Sequence, residues 1–327
     1  MSKIITNPKN YNGEDLTNIF FRPILQGPEA QNLGIRVLYN MPTPTVLNFW
    51  GSTNDILKSY TKGWQGGESA DKTQKTLQLK KVKAEMSYSA SDYFSMIYEK
   101  IACSGEINMT DLSGTELESA ETEIFKNNIK EGLRSTFWIG NSDRTEGGFR
   151  TFDGIMKKIT DATSLNAITT TPIINMGADG NADKLFYNIL DKASPALRAL
   201  KSEGHLVIFA TSDIVENYEK GLYSGANDTA RAARIDGIDR ILYRGIPVED
   251  MGISNYLKDI VDLPPSFAVL TDRRNIALAV NTRDMPGSEV AMWYNPDELE
   301  NRQRATFLAA ADFLLPELMV VSHTMPQ

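Results

Sequence analysis

The chain has 327 residues, 41% hydrophobic and 23% charged, with 34 Lys and Arg against 42 Asp and Glu for a net charge of −8. That length and balance suit a soluble chain that buries a large core in one complex domain or two ordinary ones, and the acidic excess argues against a protein that reads nucleic-acid sequence, which needs clustered cations. A single cysteine, Cys103, excludes an intramolecular disulfide framework and a cysteine-based zinc site; no apolar run approaches the roughly 20 residues of a bilayer span, and the first ten residues lack the basic head and apolar core of a secretion signal.

Residues 1–45 are rich in Pro, Gly and Asn yet carry Ile19, Phe20, Phe21, Ile24 and Leu25. A free tail would lack such anchors, so this segment reads as an arm that lies on a surface, its own domain or a neighbour. Residues 46–90 read as a long two-stranded excursion with a Gly-rich tip at "KGWQGGES". In "KTLQLKKVKAEMSYS", Leu77 and Leu79 alternate with polar residues, and after Lys80-Lys81 the parity shifts to Val82, Ala84, Met86 and Tyr88. Period two predicts strand, and the shift predicts a bulge or a change of buried face. An isolated hairpin is marginal in water, so this one is expected to rest on another surface. Its cations Lys72, Lys75, Lys80, Lys81 and Lys83 form the chain's one basic cluster, either a solvated strand face or a contact surface.

Residues 115–140 give the strongest helix signal. Phe125, Ile129, Leu133 and Phe137 recur every four residues, with Leu117, Ala120 and Ile124 beside them. Thr115 and Glu118 have capping-box spacing, and the order of acids before bases suits the helix dipole; the length is about 36 Å at 1.5 Å per residue. Beyond Gly140 the pattern is mixed: a helix over 181–192 through Leu185, Phe186, Ile189 and Leu190, a buried strand "HLVIFA", a helix over "TSDIVENYEKG" and a polar tip at 223–237. "LYRGIPVEDM", residues 242–251, reads as a strand bent at Gly245 and stiffened by Pro247, ending in Glu249 and Asp250.

Enzyme signatures are sparse. G-x-G-x-x-G, the P-loop, G-x-S-x-G and H-E-x-x-H are absent, and His205, His323 and Cys103 offer few nucleophile–base or metal arrangements. Carboxylate pairs remain, Glu249/Asp250 and Asp259/Asp262, but acids close in sequence say nothing of pKa.

"RILYRGIPVEDM", then "FAVLTDRRNIALAVN", then "RATFLAAADFLLPELMVVS" resemble the C-terminal half of tailed-bacteriophage major capsid proteins of the Hong Kong 97-like fold. Upstream, an arm, an extended loop ending in "LKKVKAEMSYS", a long helix and a Gly turn into "GGFRTFDGIMKKI" follow the same order. The resemblance covers nearly the whole chain in the order of its elements, although each motif is short. It implies an α+β fold with an N-terminal arm (1–45), an extended loop (46–88), a peripheral domain (89–159) with a spine helix (115–140), an axial domain (160–290) and C-terminal strands (291–327) that return to the peripheral domain. Gly245 and Pro247 would then shape a strand corner, and Glu249/Asp250 would not be a catalytic dyad.

The implied function is self-assembly, through hexamers and pentamers, of an icosahedral virion capsid around double-stranded DNA, assembled in the host cytoplasm. Portal, scaffolding or decoration proteins would be partners, contact with DNA would be non-specific, and neither a membrane nor a cofactor would be involved. Candidate interface residues are Phe20 and Phe21 in the arm, and Lys72, Lys75, Lys80, Lys81 and Lys83 set against Glu116, Glu118, Glu121 and Glu123 of a neighbour's helix. No scaffold-like charged helix precedes residue 45. Lys58, Lys62 and Lys72 lie where some relatives cross-link a lysine, but no local pattern identifies a partner Asn. Rival expectations are an encapsulin-type nanocompartment shell, a tail or connector subunit, and an α/β enzyme working through carboxylates.

Overall fold

A computed structural model describes residues 35–50, 59–63, 72–89, 116–178, 180–224, 233–235, 238–258, 260–283 and 291–323, with backbone alone for 48–50, 72–73, 89, 116–121, 223–224, 233–235 and 238–240. Phe20, Phe21, Lys58, Cys103, Thr115 and Asp259 lie outside the described residues, as does most of the expected tip at 223–237.

The strands, in chain order, are β1 (Arg36–Leu38), β2 (Thr45–Trp50), β3 (Lys72–Leu77), β4 (Lys80–Ser89), β5 (Thr169–Thr171), β6 (Leu206–Ala210), β7 (Ala233–Ile235), β8 (Ile238–Tyr243), β9 (Ile246–Asp250), β10 (Phe267–Asp272), β11 (Ile276–Val280), β12 (Ala291–Asn295), β13 (Glu300–Phe313) and β14 (Met319–His323). The helices are α1 (Glu116–Ile139), α2 (Ile155–Ser164), α3 (Asn181–Lys192), α4 (Pro195–Ala199), α5 (Ser212–Ser224) and α6 (Ser254–Leu257). They form a five-stranded sheet, a seven-stranded sheet and a separate β2–β3 ribbon.

The five-stranded sheet is built on β13. Residues 300–309 pair antiparallel with β4, residues 300–304 also pair with β12, and residues 309–313 pair with β11, which carries β1 in parallel at the edge. Val82, Ala84, Met86 and Phe307 turn one face of this sheet toward α1, whose Phe125, Ile129, Leu133 and Phe137 are all buried, as their spacing predicts. The last two turns of α1 are buried all round, because they run on into the second sheet: Trp138 stacks at 5.1 Å on Phe209 of β6.

The seven-stranded sheet has the order β5-β14-β10-β6-β9-β8-β7. "LVIFA" is buried at every residue because both faces are covered: Val207 and Phe209 join the core with α1 and α2, while Leu206, Ile208 and Ala210 join a second core with α3 and α5. The expected stripe on 181–192 is present, with Leu185, Phe186 and Ile189 buried.

Strand pairing adds what periodicity does not carry. The β2–β3 pairing ends at Leu77, Gln78 and Leu79 break the strand, and β4 crosses into the five-stranded sheet, which is the change of buried face behind the parity shift. The chain passes between the sheets on both sides of residue 290: β11 belongs with β13, while β14 lies beside β10 in the other sheet. Finally, residues 242–251 are not one bent strand. They are a hairpin, β8–β9, reversed at Arg244-Gly245 with φ of 49° and 81°, the two positive values that a tight hairpin turn requires. Pro247 sits opposite Leu242, one residue before β9 gains β6 as its second neighbour, where a missing N–H is tolerated.

Candidate assembly surface and its anchoring groups

β3 and β4 carry the basic cluster, and their alternation decides what each lysine meets. Lys75 shares a face with Leu77 and Leu79, the face turned to the body, so it is only one-third exposed. Its ammonium lies 2.8 Å from Asp312 Oδ1 and 4.5 Å from the centre of the Phe313 ring, and it donates to the Phe313 carbonyl. Lys80 donates to Ser142 Oγ at 2.8 Å with Asp153 3.7 Å away, and Lys83 pairs with Glu85 at 2.7 Å. Lys81 is exposed and pairs with none of the described residues. For Lys72 only the backbone is described. On α1 the positions 116, 118 and 121 are helical, and Glu123 is exposed. The structure thus brings Lys75 and Lys80 to carboxylates of their own chain.

Those carboxylates are the groups that the sequence pattern did not single out. Asp312 is 4% exposed near the end of the apolar strand "FLAAADF". It accepts from the Phe313 backbone N–H and is flanked on its second oxygen by Lys158 of α2 at 3.1 Å. A lone acid inside an Ala-rich strand is the signal that could have pointed to it, because a buried charge demands partners.

Asp153 works at the neck of the loop joining α1 to α2. Burial would raise its carboxyl, but the Ser142 hydroxyl and backbone N–H, with Lys80 and Lys158 nearby, outweigh burial and hold it below the usual carboxylate range. The neck itself is backbone against backbone: Gly154 N–H donates to Gly140 O at 2.8 Å, and a Cβ on Gly154 would stand 2.6 Å from Thr136 O. The same loop is pinned outward by Arg144, which grips Asp262 through two nitrogens at 3.1 and 2.8 Å, with Asn141 donating at 3.0 Å. These bonds overcome the desolvation of Asp262 and lower its pKa.

The other acids considered from sequence also hold structure. Neighbours on one strand, Glu249 and Asp250 point to opposite sides. Arg273 reaches Glu249 at 3.1 Å, while Asp250 accepts from Ser212 Oγ at 3.0 Å and Gly252 N–H at 2.8 Å. Arg134, 3% exposed on α1, pairs with Glu131 and donates to Gly252 O, and Tyr256 donates to the same Glu131 at 2.7 Å, so α1 is bonded to the turn after β9. Asn275 joins the two sheets. Its Nδ2 donates to Thr271 Oγ1 and Leu315 O, and its Oδ1 accepts from the N–H groups of Leu314 and Leu315, where β10–β11 and β13–β14 both change sheets.

An open groove of about 440 Å³ runs between β4 and α1, floored by Ala84, Met86, Phe125, Ile129 and Phe307. Among the described residues no group of three or more His, Cys, Asp or Glu is disposed to hold a metal ion, and no helix is long and apolar enough to cross a membrane.

No family model and no curated protein matches the sequence. Solved structures do. A chain of the satellite phage P4 procapsid that includes the size determination protein superposes with a TM-score of 0.55 at 10% identity over 95% of this chain and 99% of that one. The capsid of a native GTA particle gives 0.55 at 11% identity over 98% and 96%, and the SrpI encapsulin of Synechococcus elongatus gives 0.52 at 8% over 96% of each. At such identities the likeness is one of fold, and it extends end to end in both partners: the chain has the α+β, Hong Kong 97-like fold of phage capsid, GTA and encapsulin shells.

Proposed function

We propose that this chain is the shell-forming subunit of a phage capsid, closing with many copies of itself, as hexamers and pentamers, into an icosahedral shell around double-stranded DNA. The observation that carries this is coverage: the whole chain, with little left over, matches whole chains from a procapsid and a GTA capsid. The carboxylates Glu249, Asp250 and Asp312 support it, since each is held by an intramolecular partner that braces the fold. In this role residues 1–45 act as the arm, β2–β3 as the extended loop, α1 as the spine, and the seven-stranded sheet as the axial domain. A net charge of −8 suits loose, non-specific contact with packaged DNA. Portal and scaffolding or decoration proteins would be the partners, and the virion the destination.

Of the proposed basic contact to a neighbour's helix start, Lys81 is the member left free for it, with Lys83 beside it only lightly engaged. Single exposed ion pairs contribute roughly 0–1 kcal/mol, but a closed lattice repeats each one many times. Lys81→Glu should reduce shell yield and make assembly more sensitive to salt; shells of normal yield and salt response would remove Lys81 from the interface.

A second assignment, a nanocompartment shell loaded with protein, is favoured by the full-length match to the SrpI encapsulin. Purified particles separate the two. Nuclease-protected DNA inside supports the capsid, and a protein cargo without DNA supports the compartment.

A further inference from the structure

The Lys75–Asp312–Lys158 cluster holds a feature that an ordinary structural ion pair lacks. Removing one partner of a buried pair normally leaves a stranded charge, which costs several kcal/mol. Here Asp312 has two cations, supplied by different parts of the molecule. Lys75 comes from the β2–β3 ribbon and approaches Oδ1 at 2.8 Å; Lys158 comes from α2, within the body, and approaches Oδ2 at 3.1 Å. The Phe313 N–H also donates to Oδ1, so the carboxylate keeps two partners when the ribbon departs.

The ribbon's remaining described attachment is small. Leu77 and Leu79, with Leu47 and Met41 partly buried beside them, pack on Ala279 and Ala310, flanked by the partly buried Leu38 and Leu308. This cluster is far smaller than either main core, and Lys75 makes the ribbon's one ionic tie to the body among the described residues. Its ammonium is received by three groups at the end of β13: the Asp312 carboxylate, the Phe313 carbonyl and the Phe313 ring.

We propose that Lys75 and Asp312 form an ionic latch that holds the β2–β3 ribbon against the body and can open without unfolding it, Lys158 remaining as the cation that keeps Asp312 neutralised in the open state. Lys75 lies on β3, shortly before β4 enters the five-stranded sheet at Lys80, so opening the latch frees the ribbon up to that entry point. The proposal concerns the single chain and stands independently of shell formation.

Hydrogen exchange on the unassembled full-length chain tests it. With Lys75→Met, which keeps the apolar stem, amides of 45–50 and 72–77 should exchange at least ten-fold faster while α2, β11 and β13 keep their protection. Lys75→Arg should restore the protection of the ribbon. Lys158→Met should leave the ribbon protected, because Lys75 then becomes Asp312's remaining cation. Unchanged ribbon exchange in Lys75→Met would overturn the latch. So would a loss of protection that spreads through α2 and β13, or a failure of that variant to fold, since either would make Lys75 an ordinary core tie.

Discussion

Single residues decide how the loop after α1 is held. Gly140 and Gly154 let two backbone segments touch, and a methyl at Gly154 would meet three backbone atoms within 2.9 Å, none of which can swing aside. Gly154→Ala should therefore cost about 3 kcal/mol in chemical denaturation, whereas Gly148→Ala in the same loop, where a Cβ meets nothing within 4 Å, should cost under about 1 kcal/mol. The acids Asp153 and Asp262 set an acid limit. Their folded pKa values lie below the ordinary carboxylate value of about 3.9, so the stability they contribute is complete above that value and is lost as pH falls through the lower, folded values. Thermal melts should fall below about pH 4, and the fall should be shallower in an Asp153→Asn, Asp262→Asn double variant, whose stability at pH 7 is already reduced. Equal pH slopes in the two proteins would mean that other carboxylates govern the transition.

At the scale of elements, what was legible in the sequence is what periodicity encodes. The stripe Phe125, Ile129, Leu133, Phe137 gave α1 to within one residue at each end, and Leu185, Phe186 and Ile189 gave α3, because one buried face of a helix repeats locally. "HLVIFA" was legible as buried strand for a different reason, coverage of both its faces. Pairing was not legible. Nothing near Lys80 says that β4 joins β13, more than two hundred residues away, and the shift in parity there fits a bulge as well as a change of buried face. The Arg-Gly turn at 244–245 was missed because positive φ at Arg carries no strong local signature, unlike Asn-Gly. The lysine cluster was visible as charge, but its division into Lys75 and Lys80, held within the chain, and Lys81, without an ion pair among the described residues, depends on which face of each strand meets Asp312 and Asp153.

The described residues form two large sheets that share α1 and are joined where the chain passes between them, with the β2–β3 ribbon set apart. Asn275 closes that junction with bonds to Thr271 of β10 and to the turn at 314–315. Asn275→Ala would strip the Leu315 N–H of its Oδ1 partner and remove three further side-chain bonds at the junction, and should cost about 1–3 kcal/mol. The same change should broaden unfolding into two steps if this junction is what couples the sheets, and calorimetry would detect a single sharp transition if it is not. For a shell subunit that coupling matters, since contacts made by one sheet must set the position of the other throughout a closed lattice.

The most direct test of the shell assignment is electron microscopy of the protein expressed alone and sized on a column. A shell subunit gives closed particles or five- and six-membered rings; a monomer or dimer that persists at every concentration, and in the presence of co-expressed scaffolding protein, would contradict it.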